Sequence, residues 1–190
     1  MATHTIVTIV GSLRKESFSL KIANALAKLA PASLKLDVTT LGGISFFNQD
    51  LEANPPADWL SFREKLQKSN GVLFVTPEYN RSIPGGLKNA IDWASRPYGK
   101  NAFSRKPSAI IGTSTGKIVT AVAQQHLRSI LAFCNSPLMN SIEAYIQFEK
   151  DLITDDGHVT NPSTEAFLRK FMVEFAGFIE RVYTVLPRPQ

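Results

Sequence analysis

A chain of 190 residues suits one domain with a substantial core, and 44% hydrophobic with 19% charged residues is an ordinary globular composition. The net charge of +5 raises the question of nucleic acid, yet Lys and Arg are interleaved with acids, as in Arg63-Glu64-Lys65, and form no basic stripe, so no nucleic-acid partner is expected. The single cysteine, Cys134, excludes an intrachain disulfide, and neither a leader pattern nor an apolar run of spanning length is present, so a cytoplasmic protein without a membrane span is expected.

Strand and helix patterns alternate along the chain, which argues for a parallel sheet covered on both faces. The β-branched run 6–10 is the first strand, and Leu20, Ala23, Leu26, Ala27 and Ala30 then repeat at helical spacing until Pro31. A second strand is expected over 34–39. Residues 41–58 form a long segment with a Gly pair, Phe46-Phe47 and Pro55-Pro56, which reads equally as a ligand cover, a subunit contact or a surface excursion. Asp58 is expected to cap a helix carrying Leu60, Phe62 and Leu66.

The third strand, 71–76, is apolar throughout, as a central strand is. After a loop over 77–81, Ser82 is the expected N-cap of a helix with Pro84 in its first turn and Leu87, Ala90, Ile91 and Ala94 inward. A fourth strand over 107–112 runs into Thr113-Ser114-Thr115-Gly116, followed by an amphipathic helix carrying Val119, Val122, Ala123, Leu127, Ile130 and Leu131. A fifth strand is expected over 136–142, a turn at Asp155-Asp156-Gly157, and a last helix over 163–185. No repeat or linker interrupts 1–190, so the reading is one five-stranded doubly wound α/β domain.

Three loops follow strands one, three and four, where such sheets bind ligands. The first, Gly11-Ser12-Leu13-Arg14-Lys15-Glu16-Ser17-Phe18-Ser19, combines a helix N-terminus with hydroxyls and an arginine, a setting for an anion. It lacks the Gly-Lys-Ser/Thr ending of a Walker loop. It also lacks the three spaced glycines of a dinucleotide fold, whose acid after strand two is here Thr39-Thr40. A terminal monophosphate remains, with FMN the natural candidate; alone, the loop reads equally as a serine-capped helix beside a surface arginine. Cys134 sits in an apolar context and reads as buried filler, and His126 as a core or surface residue rather than a catalytic one.

The second loop and its helix, Thr76-Pro77-Glu78-Tyr79-Asn80-Arg81-Ser82-Ile83-Pro84-Gly85-Gly86-Leu87-Lys88-Asn89-Ala90-Ile91-Asp92-Trp93, closely resemble the signature of the NADPH-dependent FMN reductase family. Gly11-Ser12-Leu13-Arg14 and Ser17 match its other motif, and the order of elements agrees from residue 5 to about 183. Within that family the chain is most similar to bacterial quinone and chromate reductases, with azobenzene reductases as neighbours.

The resemblance implies a flavodoxin-like fold of strand order 2-1-3-4-5, non-covalent FMN, NADPH or NADH as co-substrate, and a homodimer or homotetramer. It implies that Ser12, Arg14, Ser17, Phe18 and Ser19 surround the phosphate. Pro77, Glu78, Tyr79 and Asn80 then line the isoalloxazine edge, with backbone amides of 78–80 as donors to it. Ser82 lies nearby, and Thr113, Ser114 and Gly116 meet the ring or ribityl chain.

Arg81 beside that loop is expected to attract an anionic acceptor or the NADPH phosphate. The flavin carries the redox chemistry, so no general acid or base is required and a small-molecule acceptor takes the electrons.

Departures from the family are Ser19 where many relatives have Asn, Thr120-Ala121 or nearby in place of a Gly-Gly pair, and Gln125 at the position of a tetramer-linking tyrosine. Contacts after Gly116 and the tetramer network are therefore not carried over. The rivals are a flavodoxin-type electron carrier without turnover, which resembles acidic proteins with a Thr-rich first loop, and an FMN-free interaction domain.

Overall fold

The computed structural model describes residues 3–186. Five parallel strands, β1 (His4–Val10), β2 (Leu34–Thr40), β3 (Gly71–Thr76), β4 (Ser108–Ser114) and β5 (Ala144–Gln147), form one sheet in the order β2-β1-β3-β4-β5. The helices are α1 (Phe18–Leu29), α2 (Ala57–Lys68), α3 (Gly85–Ala94), α4 (Ala121–Phe133) and α5 (Pro162–Val185). Expected fold class and strand order both hold.

Alternation along the strands builds two cores. Ile6, Val10, Leu73, Val75 and Ile111 face α1 and α5, whereas Val7, Ile9, Val72, Phe74 and Ile110 face α2, α3 and α4. β1, β3 and β4 lie between both layers, which is why nearly every residue in them is buried, the polar ones included. Cys134 is indeed buried in the second core, and burial pushes its thiol pKa up.

Four local expectations are corrected. The fifth strand begins at Ala144 rather than in 136–142; Leu138 makes only a single bridge to Ser108. Pro137 has no N–H to contribute to a ladder, and the polar Asn140-Ser141 pair follows it. Pro56 and Pro84, not Asp58 and Ser82, precede α2 and α3, because a fixed φ near −60° enters a helix without strain. Asp58 instead binds Ser45 through its N–H at 2.7 Å and its hydroxyl at 3.2 Å. Thr113 and Ser114 belong to β4 itself, not to the loop after it.

The segment between β2 and α2 contains a short 3-10 helix, Gln49–Ala53. It is fastened to α3: Ser45 O accepts from Asn89 Nδ2 at 3.0 Å and Trp93 Nε1 at 2.7 Å, and Phe47 N–H donates to Asn89 Oδ1 at 2.7 Å. Among the described residues, no helix is long and apolar enough to cross a membrane.

Candidate active site at the carboxyl edge of the sheet

The chain leaves β1 and β3 in opposite directions relative to the sheet order, so a crevice opens above them. Gly11 lets the first loop pass close to the second: a Cβ there would meet Thr76 Oγ1 at 3.2 Å and Pro77 Cδ at 3.3 Å. Gly11 N–H donates to Val75 O at 2.8 Å. The loop then rises to Ser17, whose hydroxyl accepts from Leu20 N–H at 3.2 Å and caps α1.

A cavity of about 100 Å³ lies at this helix start, lined by Ser12, Arg14, Phe18, Ser19, Pro77, Glu78, Tyr79, Thr113, Ser114 and Thr115. Ser19 and Thr113 are each 1% exposed, and neither hydroxyl oxygen has a hydrogen-bond partner among the described residues. Two buried hydroxyls left unpaired beside an arginine and a helix N-terminus are an arrangement completed by an anion. Arg14 is steadied over the Phe18 ring at 5.3 Å, and Phe18 stacks on Phe148 with centroids 4.2 Å apart. Ser12 Oγ lies 3.3 Å from Tyr79 Oη, joining the first loop to the second.

The second loop is a tight hairpin. Tyr79 and Ser82 exchange two backbone bonds of 3.0 Å, and Asn80 and Arg81 between them have φ of 50° and 62°. This is a type I′ turn, which suits Asn and strains Arg. Its closure commits the Tyr79 amide to Ser82 O, so only the Glu78 and Asn80 amides of the expected set have no partner among the described residues.

The Glu78 carboxylate turns away from the loop. Its side chain is 6% exposed, its Oε2 accepts from Val122 N–H at 3.1 Å and Ala123 N–H at 2.9 Å, and its Oε1 pairs with Arg81 at 3.0 Å. Those amides are orphans at the start of α4, so the acid caps that helix. Arg81, expected to attract an anionic acceptor or the NADPH phosphate, is paired with this acid.

A second cavity of about 380 Å³ lies between the second and third loops, lined by Glu78, Asn80, Arg81, Ser114, Gly116, Lys117, Ile118 and Val119. It shares Glu78 and Ser114 with the smaller cavity. Ser82 is not brought to either wall: its hydroxyl meets His126 Nδ1 at 3.0 Å over a neighbouring groove, where His126 is exposed. The strap over 41–58 contributes no residue to these two cavities.

Lys117 and Ile118 were not singled out by the sequence, Thr115 was read only as part of the third loop, and Val119, expected on the inward stripe of the next helix, instead lies in the turn before α4 with φ of 56°. Gly112 was also missed as a packing site. A Cβ there would lie 2.0 Å from Thr120 Oγ1 and 2.8 Å from Gln124 Nε2, so α4 docks on bare backbone.

Strand order and the loops at the sheet's carboxyl edge define a flavodoxin-like protein. Residues 4–151 match the family described as NADPH-dependent FMN reductase, and the chain belongs to that family. It is 44% identical over 174 residues to a 2-hydroxy-1,4-benzoquinone reductase of a Burkholderia species, covering 92% of this chain and 95% of that one. It is 45% identical over 178 residues to a quinone reductase of Pseudomonas putida, covering 93% and 95%. Among solved structures, the flavoenzyme NAD(P)H:(acceptor) oxidoreductase of Paracoccus denitrificans superposes with a TM-score of 0.90 at 42% identity, covering 94% of this chain and 98% of that one.

Proposed function

We propose that this protein is an FMN-dependent NAD(P)H:quinone oxidoreductase. The observation that carries the reading is the pair of buried, unpartnered hydroxyls of Ser19 and Thr113 beside Arg14 at the start of α1. They fit a phosphate monoester, which accepts hydrogen bonds from every side. FMN, when bound, supplies two-electron transfer between a nicotinamide and a quinone. The names of the Burkholderia and Pseudomonas relatives support a quinone as the acceptor.

In this reading Arg14, Ser12, Ser17, Ser19 and Thr113 hold the phosphate, and Phe18 keeps Arg14 in place. Pro77 and the Glu78 and Asn80 amides face the ring edge, Tyr79 lends an aromatic body, and Ser114 and Gly116 face the ring from the third loop. Ser82 stands outside the set. The chain's residues bind and orient the reactants, and protons for the departing hydroquinone come from solvent, since the larger cavity is open. Chromate and other small acceptors are secondary substrates, and the active form is a homodimer or homotetramer, as the family resemblance implies; sedimentation reads the oligomer directly.

The test mixes FMN-loaded protein, NADPH and 1,4-benzoquinone and follows NADPH absorbance. Rapid quinone-dependent loss is expected. Flat absorbance with a normal flavin spectrum would make the protein an electron carrier. Failure to take up FMN would remove the reading altogether.

A further inference from the structure

Three charged side chains line the larger cavity: Glu78, Arg81 and Lys117. Two of them offset each other, because Glu78 Oε1 lies 3.0 Å from Arg81 Nη1. Among the described residues Lys117 has no ion-pair or hydrogen-bond partner. The cavity wall therefore carries one uncompensated positive charge.

The backbone fixes where the residue that carries that charge is rooted. Val119 N–H donates to Gly116 O at 3.0 Å, which closes a turn with Lys117 and Ile118 at its corners. Ala121 N–H donates to Ile118 O at 3.3 Å, and fully buried Thr120 anchors the end of the turn. Val119 has φ of 56°, a region that a β-branched residue enters only under constraint. Glu78 and Asn80, expected along the ring of FMN, and Ser114 and Gly116, expected at the ring or ribityl chain, line the same cavity.

We infer that Lys117 raises the reduction potential of FMN in this protein by favouring its reduced, more negative form. The inference rests on FMN occupying the site as proposed above. NAD(P)H delivers two electrons and one proton together and leaves as NAD(P)⁺, so the flavin gains one negative charge. A cation on the wall binds that state more tightly than the oxidised one. Exposure of the lysine keeps the effect to about three- to tenfold in the ratio of the two affinities.

The experiment measures the midpoint potential of bound FMN, and the dissociation constants of oxidised and reduced FMN, in the wild-type protein, Lys117→Gln and Lys117→Arg. Lys117→Gln is expected to cut the preference for reduced FMN by about three- to tenfold, a potential lower by about 14 to 30 mV for a two-electron couple. Lys117→Arg retains the wild-type value, and raising the salt narrows the gap. Equal potentials in all three FMN-loaded proteins, or a salt-independent difference, overturn the inference and leave the proposed function standing. A wild-type protein that takes up no FMN overturns both.

Discussion

The Glu78 carboxylate grips the start of α4 through the Ala123 amide, 2.9 Å away. One acid thus ties the second loop to the helix that follows the third, and with Val122 N–H and Arg81 it fills both of its oxygens. Glu78→Ala removes a helix cap, a loss of about 1 to 2 kcal/mol. For a chain of this length that is a fall in Tm of about 3 to 6 °C. Glu78→Gln keeps an oxygen for the amides and is expected to recover most of the loss. Calorimetry on the three proteins decides it, and equal Tm values for the Ala and Gln variants would count against capping.

Ser19 and Thr113 make a sharper case, because their buried hydroxyls have no hydrogen-bond partner among the described residues. A buried unpaired polar atom is a liability of about 1 to 3 kcal/mol, so Ser19→Ala and Thr113→Val leave the apoprotein as stable or more so. Each hydrogen bond lost to a charged phosphate, at about 1.5 to 3 kcal/mol, weakens FMN binding by about 10- to 100-fold. Fluorescence titration measures this, with riboflavin as the control that lacks the phosphate and is expected to bind the variants and the wild type alike. A drop in apoprotein stability with unchanged FMN affinity would assign both hydroxyls to the fold.

Residues 6–10 and 71–76 were legible as strands because burial on both faces writes itself as an unbroken apolar run. The first loop suggested the anion seat proposed here because hydroxyls, Arg14 and a helix start are adjacent in sequence. What escaped is what depends on distant partners. The Glu78 cap joins residues 44 and 45 positions apart. Ser82 looked like an N-cap locally, yet the I′ turn required its backbone for Tyr79, and Pro84 took the helix entry. The strap over 41–58 was ambiguous for the same reason: its anchors, Asn89 and Trp93, lie on a later helix.

Gly112 sits in mid-strand, where glycine is ordinarily a weakness. Its reason is the close approach of α4, since an added Cβ would fall 2.0 Å from Thr120 Oγ1 and 2.6 Å from Thr120 Cβ. Thr120 and Gln124 are fully buried, and Gln124 is held by Ala144 O at 2.8 Å, so neither can yield easily. Gly112→Ala is expected to destabilise by about 1 to 3 kcal/mol, the usual range for overpacking. Urea unfolding measures it. Gly85→Ala is the matched comparison, because a Cβ there meets nothing within 4 Å, and it should stay close to wild type in stability.

Asp58 gives the strap a pH dependence. The Ser45 N–H donating to its carboxylate at 2.7 Å, helped by the Ser45 hydroxyl, holds the Asp58 pKa below the ordinary value of 3.8. A carboxyl whose folded pKa is lower than its unfolded one contributes fully above the unfolded value, and the contribution is lost as pH falls through the folded one. The strap is therefore firm at neutral pH and loosens in acid. Trp93 reports on it, since its indole N–H donates to Ser45 O at 2.7 Å and its ring lies 5.0 Å from Trp59. Tryptophan emission of the wild-type protein is expected to change as the pH is taken below 3.8, whereas Asp58→Asn, which cannot titrate there, lacks that component. The same acid transition in both proteins would detach the strap from Asp58 and leave its anchorage to Asn89, Trp93 and the Glu52–Arg96 ion pair.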